Sequence, residues 1–280
     1  MGEFETLLYE EAEGVAWVTL NRPEVYHAFN SQMTRELQQV WRRLRHNHDV
    51  NCAVLTASGE KAFCTGIDRN EVNVDWADDL AAGRDATGGS GTVGFASPFM
   101  LDDPGEYIGP KSNDLWKPVI AAVNGMACGG AFYMLGESDF IVAADRATFF
   151  DPHVTYGMPT AFEPVHMLNK VPFPEIMRIS LMGNAERVSA QRAYEIGLVT
   201  EVVPGDELHD KVKWIAETIA SYPTLAVQAT VRSLWAARDL GQKQALSMGY
   251  AFIALGQDSE GLKAGQEAFA SGKRQQWQLR

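Results

Sequence analysis

Two glycine turns, each directly after an apolar run, carry the first chemical signal in the chain. The first is A-F-C-T-G-I-D at 62–68, after C-A-V-L-T-A, and the second is A-C-G-G-A at 127–131, after P-V-I-A-A-V. Each turn is able to direct one backbone N–H group at a common point, and two such donors hold a carbonyl oxygen that becomes an oxyanion. Removing one such donor typically costs about 3–4 kcal/mol. Either turn alone is weak evidence, because a glycine after a strand is most often only a turn.

The elements that must position these turns are short apolar runs alternating with helical stretches. E-T-L-L-Y-E and V-A-W-V-T-L predict a β pair around Gly14, and F-I-V-A-A-D predicts a buried strand like the two runs above. Asn30 is an N-cap signal before S-Q-M-T-R-E-L-Q-Q-V-W-R-R-L, whose apolar residues recur at helical spacing. Strand–helix alternation of this kind predicts βαβ-type connections and an α/β fold.

Composition limits the possible partners and compartments. The chain has 280 residues, 46% of them apolar, and a net charge of -12, which argues against nucleic acid as a main partner. No apolar run approaches the roughly 18 residues of a membrane span, and the acidic N-terminus lacks a signal-peptide core. Three cysteines without a Cys-x-x-Cys pair are typical of reduced thiols in a cytoplasmic protein. His46 and His48 cannot share a helix face, so no metal pattern is evident.

The middle and the end of the chain differ from this alternating pattern. From about 75 to 110 the periodicity is weak, which predicts either a lid-like binding loop or a disordered surface insertion. From Asp206 onward four helical stretches follow one another. The third and fourth are rich in Ala, Gly and Met for surface helices, which indicates faces buried in partner subunits.

Taken together, these motifs resemble the crotonase, or enoyl-CoA hydratase/isomerase, superfamily. The resemblance runs from about Gly14 to Arg274 in the family's order. It rests on N-R-P-E-V-Y-H-A-F-N-S-Q-M, A-F-C-T-G-I-D, K-P-V-I-A-A-V-N-G-M-A-C-G-G-A, S-D-F-I-V-A-A-D-R-A-T-F and S-A-Q-R-A-Y-E-I-G-L-V-T-E-V-V. It implies an α/β fold, with a spiral of ββα turns over 1–204. It also implies a helical C-terminal region over 205–280 that builds homotrimers or dimers of trimers.

The resemblance also implies a substrate and a way of binding it. Family members act on acyl-CoA thioesters and hold the thioester enolate with two backbone N–H groups, which by motif position are those of Ile67 and Gly130. Coenzyme A would therefore enter as part of the substrate, with no permanently bound cofactor. Residues matching the family's CoA-binding segments are Arg22, Val25, His27, Ala28, Lys61, Ala62, Phe63 and Asp68. Phe269 and Lys273 resemble an aromatic–basic pair that reaches the CoA of a neighbouring subunit.

Both glutamates of the family's hydratases are absent. By position they fall at Tyr133 and His153. Tyrosine has a reference pKa near 10 and is a poor base, whereas histidine, near 6.5, serves as acid or base. His153 is therefore the first choice for proton transfer, although it would also suit a structural role, bonded to Asp151 or to backbone. Glu163, after M-P-T-A-F, is a further candidate acid.

Three functions remain open from the sequence. The first is an acyl-CoA enzyme with non-hydratase chemistry, namely hydrolysis, isomerisation or decarboxylation. The second is an ordinary enoyl-CoA hydratase, a lyase of fatty-acid breakdown, with substitutes for both glutamates. The third is a catalytically idle acyl-CoA-binding subunit. The sequence does not name the acyl group.

Overall fold

The computed structural model describes residues 3–70, 95–97, 100–101, 105–272 and 277–280. The lid-like segment predicted at 75–110 lies largely outside these residues, as does Lys273. The end of that segment is described, and it is anchored to the core. Ile108 is fully buried, and its carbonyl accepts a 2.9 Å hydrogen bond from the indole N–H of Trp41.

Short strands form two main sheets. The strands are β1 (Leu7–Ala12), β2 (Val15–Leu20), β3 (Cys52–Ala57), β4 (Ala62–Cys64), β5 (Phe95–Ser97), β6 (Met100–Leu101), β7 (Val119–Val123), β8 (Met126–Cys128), β9 (Phe140–Ala144), β10 (Thr148–Phe150), β11 (Val188–Ser189) and β12 (Glu201–Val203). One sheet has the order β1-β2-β3-β7-β9-β12 and the other β11-β10-β8-β4, while β5 and β6 pair with each other. In the two main sheets only the β1–β2 and β10–β11 pairs are antiparallel.

Helices alternate with the strands as far as β12, and all described elements after β12 are helices. They are α1 (Ser31–His46), α2 (Gly105–Ile108), α3 (Ala131–Glu137), α4 (Phe162–Met167), α5 (Phe173–Met182), α6 (Ala190–Glu195), α7 (Leu208–Ala220), α8 (Thr224–Asp239), α9 (Gln242–Ser247), α10 (Gly249–Leu255) and α11 (Ser259–Ala270). The third C-terminal stretch, predicted as one helix, runs as α9 and α10, which meet at Met248. Gly249 directly after that residue is a poor helix former, which favours a break there.

Both faces of the six-stranded sheet are buried, because consecutive side chains of a strand point to opposite faces. On β3, Ala53 and Leu55 join the larger core with α1, whereas Cys52 and Val54 join a second core with α7. Apolar residues at consecutive positions are expected of parallel strands covered on both sides. The α/β fold predicted from the alternation is confirmed, and the β1–β2 pair, the Asn30 N-cap and strand β3 lie where the sequence placed them.

The helices after α7 pack differently from the rest of the molecule. No residue of α8, α9, α10 or α11 is buried. Large apolar side chains are exposed instead, among them Leu234 (65%), Leu246 (71%), Ile253 (52%) and Phe269 (91%). None of the described helices is long and apolar enough to cross a membrane.

Candidate active site

The two glycine turns lie in direct contact. Strands β4 and β8 are parallel neighbours, so the turns that follow them emerge side by side at one edge of the sheet. A Cβ atom added to Gly66 would lie 2.9 Å from the backbone nitrogen of Gly130, and one added to Gly130 would lie 3.2 Å from the Cα of Gly66. Gly66 and Gly129 also have positive φ angles of 88° and 54°, a region that disfavours side chains. Glycine is therefore required here by space and by conformation.

The N–H groups of both candidate donors are available. Phe29 donates to the carbonyl of Gly66 at 2.8 Å and accepts from the N–H of Asp68 at 2.9 Å, so the N–H of Ile67 between them points away from Phe29. Gly130 is the N-cap of α3, where backbone N–H groups have no partner within the helix. Within the described part of the chain, neither N–H donates a hydrogen bond.

A chain of hydrogen-bonding side chains lies beside the second turn. The ring of His153 lies against Gly129, because a Cβ added to that glycine would be 3.6 Å from the His153 Cε1 atom. His153 Nδ1 is 2.7 Å from Asp151 Oδ1, and Nε2 is 3.4 Å from Glu163 Oε1. The hydroxyl of Tyr133 donates to the same Glu163 oxygen at 2.6 Å. Three residues proposed from the sequence are thus brought together by α3, α4 and the turn after β10.

Asp151 and His153 pair although they are two residues apart. Both residues lie just beyond β10, which ends at Phe150. Pro152 and a 3₁₀ turn at His153–Tyr156 bend the chain, so that the backbone N–H and the ring of His153 both reach Asp151 Oδ1. A carboxylate only accepts hydrogen bonds, so Nδ1 carries a proton in this arrangement. The sequence signal for this was Pro152, which interrupts the strand.

Thr160 joins the two acids of the cluster. Its hydroxyl lies 2.9 Å from Asp151 Oδ2 and 3.3 Å from Glu163 Oε2. Nothing in the sequence singled out this residue. Its place became visible only once α4 packed against α3 and brought 160 and 163 over the end of β10.

His153 is the member of the cluster that a substrate is best able to reach. Its side chain is 19% exposed, whereas those of Asp151 and Glu163 are 1% and 6% exposed. Tyr133 is 2% exposed. No hydrogen bond forms at Nε2 among the described residues. The imidazole is therefore the most exposed group of the cluster, with Asp151 at Nδ1 and Glu163 3.4 Å from Nε2.

The surroundings of His153 favour its charged form. Burial on its own lowers the pKa of the imidazole, but the hydrogen bond to Asp151 and the nearby charge of Glu163 outweigh it and raise the pKa above its usual value. Asp151, His153 and Glu163 each offer one possible ligand atom for a metal ion. These atoms lie within 4.8 Å of one another, a separation that a metal ion could bridge. The hydrogen-bonding distance at Nδ1 is equally well explained without an ion.

The segments expected to bind CoA lie side by side. Arg22 and Asp68 form a buried ion pair at 2.9 Å, and Arg22 also donates to the carbonyl of Ala28 at 2.6 Å. His27 accepts from the N–H of Arg22 at Nδ1 and donates from Nε2 to Ser58, so its ring is neutral and committed to backbone. Burial lowers the pKa of His27, in agreement with this form. These side chains therefore shape the turn at 22–28.

The remaining residues of the expected CoA site are spread more widely. Ala62 and Phe63 are buried in β4, whereas Lys61 before them is exposed and Val25 is half-buried. Phe269 on α11 is 91% exposed, and Lys273 lies outside the described residues. CoA contacts of all these residues remain predictions.

Comparison with known proteins decides the family. A model of the enoyl-CoA hydratase/isomerase family matches residues 10–83 and 111–280. The chain belongs to the enoyl-CoA hydratase/isomerase family. This family is a group of enzymes whose substrates are acyl-CoA thioesters.

Similar proteins in the family differ in the reaction for which they are named. The chain is 31% identical over 260 residues to "(E)-benzylidenesuccinyl-CoA hydratase" of Thauera aromatica, covering 93% of this chain and 94% of that protein. It is also 31% identical over 225 residues to "1,2-epoxyphenylacetyl-CoA isomerase" of Escherichia coli, covering 80% and 79%. Among solved structures, an "enoyl-CoA hydratase/isomerase" of Mycobacterium paratuberculosis superposes with a TM-score of 0.83 at 31% identity, covering 99% and 100%. Membership therefore leaves the reaction open.

Proposed function

We propose that the protein catalyses proton transfer on an acyl-CoA, using His153 as the acid–base group and the N–H groups of Ile67 and Gly130 as an oxyanion hole. The observation that carries this is the position of His153. Its ring lies against Gly129, one residue before the second donor, Nδ1 is held by Asp151, and the side chain is 19% exposed. A histidine oriented by a carboxylate through Nδ1 is a recurrent form of general base.

Each group has a distinct role in this proposal. The two N–H groups hold the thioester oxygen, where negative charge develops when a proton leaves the α-carbon. His153 takes that proton at Nε2, and Asp151 stabilises the imidazolium formed. Glu163, which accepts from Tyr133, sits 3.4 Å from Nε2 and attracts the same positive charge. Returning the proton to another carbon of the acyl chain completes an isomerisation.

Isomerisation suits a single accessible proton-transfer group, because the proton that is removed is the proton that is returned. Hydrolysis uses the same histidine to activate a water molecule. Decarboxylation fits less well, since loss of CO₂ needs an oxyanion hole but no base to start it. We therefore place isomerisation first and hydrolysis second among the non-hydratase reactions.

Hydration is kept as a second candidate because of Glu163. Its carboxylate lies 2.6 Å from the hydroxyl of Tyr133, the residue that stands where the family's hydratases carry a glutamate. A water molecule between Glu163 and His153 Nε2 would have two polar partners. Glu163 Oε1 and His153 Nε2 lie 3.4 Å apart, close enough for one water molecule to contact both, whereas the tyrosine supplies no base.

The decisive experiment measures enolate formation separately from the later steps. Butyryl-CoA is incubated with the protein in D₂O, and exchange of its α-protons is followed by NMR. We expect exchange in the wild type and in His209→Ala, a control at an exposed histidine, and its loss in His153→Ala. Conversion of 3-hexenoyl-CoA, followed by the gain of enoyl absorbance, then tests isomerisation.

Crotonyl-CoA separates the two candidates. General acid–base groups are each worth about 10²–10⁴ in rate, so hydration of crotonyl-CoA is expected to be slower than in relatives with both glutamates by orders of magnitude. Hydration faster than isomerisation would establish the second candidate instead. Butyryl-CoA binding without any α-proton exchange would show an idle binding subunit.

We also propose that the helices after α7 build a homotrimer or a dimer of trimers. The support is their surface, on which Met248 and Ile253 are 40% and 52% exposed and Tyr250 is 85% exposed. Apolar side chains in such number usually mark an interface. A stable monomer in sedimentation at micromolar concentration would contradict this.

A further inference from the structure

A cavity of about 720 Å³ separates α8 from the core, outside the proposed active site. The starts of β7 and β9 and the turn after α4 form one wall, and α7 and α8 form the other. Its volume lies within the range of small-molecule sites, which is about 300–1,000 Å³. It joins a second cavity of about 350 Å³ through Asn169, Trp235 and Arg238, which line both.

The carboxylate in the larger cavity is already committed. Asp139 Oδ2 accepts from Lys111 Nζ at 2.8 Å and from the N–H of Val119 at 2.6 Å. Its Oδ1 accepts from the indole N–H of Trp235 at 2.6 Å. Lys111 is its partner in ion-pair contact, and its charge also acts on Lys170 and Arg238 from a longer distance.

Two further cations of this cavity have only neutral hydrogen-bond partners among the described residues. Lys170 donates to the carbonyl of Ser138 at 2.6 Å. The Asn169 amide is oriented with its oxygen towards Arg238. The guanidinium of Arg238 donates two hydrogen bonds to this oxygen, at 2.8 and 3.2 Å. The same guanidinium stacks over Trp235 at 4.1 Å, and Lys170 approaches that ring at 5.8 Å.

This arrangement is costly for the free protein. Both side chains are partly buried, and a charge removed from water costs free energy unless it is paired. Burial, together with the charge of Arg238, lowers the pKa of Lys170 to about 8. The chain as a whole carries a charge of -12, so two neighbouring cations that make no direct ion pair among the described residues are not a consequence of composition. An anion bound between them would remove the imbalance.

The other end of the cavity is apolar. It is lined by Phe140, Ile219, Tyr222, Val227, Val231 and Leu234. A fully ionic ligand such as phosphate would leave these side chains uncovered. A molecule with one anionic group and a hydrocarbon tail would satisfy both ends.

We propose that this cavity binds an amphiphilic carboxylate, with its head between Lys170 and Arg238 and its alkyl chain along α8. An arginine presents two parallel N–H groups to a carboxylate, and the ammonium adds a third donor. The site is independent of the proposed catalytic cluster, since none of its lining residues belongs to that cluster. Its occupant is a medium-chain carboxylic acid rather than a thioester.

The test is calorimetric titration with decanoate, and with decanol as its uncharged counterpart. We expect one decanoate per chain and at least tenfold weaker binding of decanol. Arg238→Gln and Lys170→Gln should each weaken decanoate at least tenfold and leave decanol unchanged. Arg238→Lys, which keeps the charge, should lose less, and Arg178→Gln, at an exposed arginine outside the cavity, should change nothing.

The remaining measurements separate this cavity from the acyl-CoA site and from a subunit interface. Saturation with butyryl-CoA should leave decanoate binding intact, because the acyl-CoA site lies elsewhere, and so should Glu163→Gln. Competition by butyryl-CoA would overturn the proposal in favour of the proposed active site. Equal binding of decanol and decanoate, or unchanged binding in Arg238→Gln, would also overturn it. A trimer by sedimentation that binds no decanoate would show that a second copy fills the cavity.

Discussion

Two parts of the molecule hold charged side chains away from water, and they satisfy them in opposite ways. Around His153 the imidazole is held between two carboxylates, with Asp151 at Nδ1 and Glu163 near Nε2. Beside Trp235, Lys170 and Arg238 face a carbonyl and an amide oxygen. The first group is complete in the protein alone, whereas the second is completed by a ligand in our proposal.

The difference predicts opposite responses to mutation. Removing one member of a complete group leaves its partner uncompensated, which destabilises the fold. Removing a partly buried cation that makes no direct ion pair among the described residues relieves a cost that the free protein already bears. Stability measurements therefore distinguish the two groups without any knowledge of the substrate.

The largest expected effect is on catalysis at the complete group. His153→Ala should lower kcat by about 10²–10⁴, because it removes the proton-transfer group while the backbone donors remain. Binding of butyryl-CoA should change little, since the donors and the CoA segments are untouched. Steady-state kinetics and titration with butyryl-CoA measure the two quantities separately. A kcat unchanged from the wild type would indicate that His153 has a structural role only.

The next effect is on stability. Asp151→Ala should lower the free energy of unfolding by about 3 kcal/mol, because the buried carboxylate accepts from the backbone and ring of His153 and from Thr160. Urea denaturation measures this difference. Asp210→Ala, at an exposed carboxylate beside His209, is the control and should change it by less than about 0.5 kcal/mol. Equal effects would mean that the cluster is not held together by charge.

A smaller effect of opposite sign is expected at the incomplete group. Lys170→Met should raise the free energy of unfolding by about 1 kcal/mol at pH 7. The folded-state pKa of Lys170 is lowered to about 8, so the penalty is fully present below pH 8 and is relieved as the pH rises from there towards the unfolded value. The gain should therefore shrink between pH 8 and 10. Lys211→Met, which breaks a 2.7 Å pair with Glu201, is the control and should bring no gain.

The smallest effect is the pH dependence at His153. Its pKa is raised in the folded protein, so its contribution to stability is complete below the unfolded pKa of about 6.5 and is lost as the pH rises through the folded value. The stability difference between wild type and His153→Ala should therefore be larger at pH 6 than at pH 9. Denaturation at both pH values checks this. A larger difference at pH 9 would mean that the neutral ring is the stabilising form.

Local sequence patterns predicted the scaffold well. The run C-A-V-L-T-A is β3 with the same bounds, and Asn30 caps α1 by accepting from the N–H of Met33. Such elements follow from side-chain periodicity and capping, which act between neighbours in the chain. The contact between the turns at Gly66 and Gly130 could also be foreseen, because parallel strands end at the same edge of a sheet.

The arrangement of charges could not be read in the same way. Asp151 was only one of two possible partners of a structural His153, and their pairing forms in the turn after β10. The cation pair joins Lys170, after α4, to Arg238, at the end of α8. Their proximity depends on how α8 packs against the core. No local sequence pattern predicts that packing.

The contact between Gly66 and Gly130 has a consequence for variation at these positions. Each glycine excludes a side chain from the other, since a Cβ on Gly130 would also lie 2.8 Å from two ring carbons of Phe29. In a library that randomises 66 and 130, no second substitution compensates for the first, because any added atom occupies the same shared space. Active members should keep glycine at both positions together, whereas shortening Phe29 would make room at 130 alone.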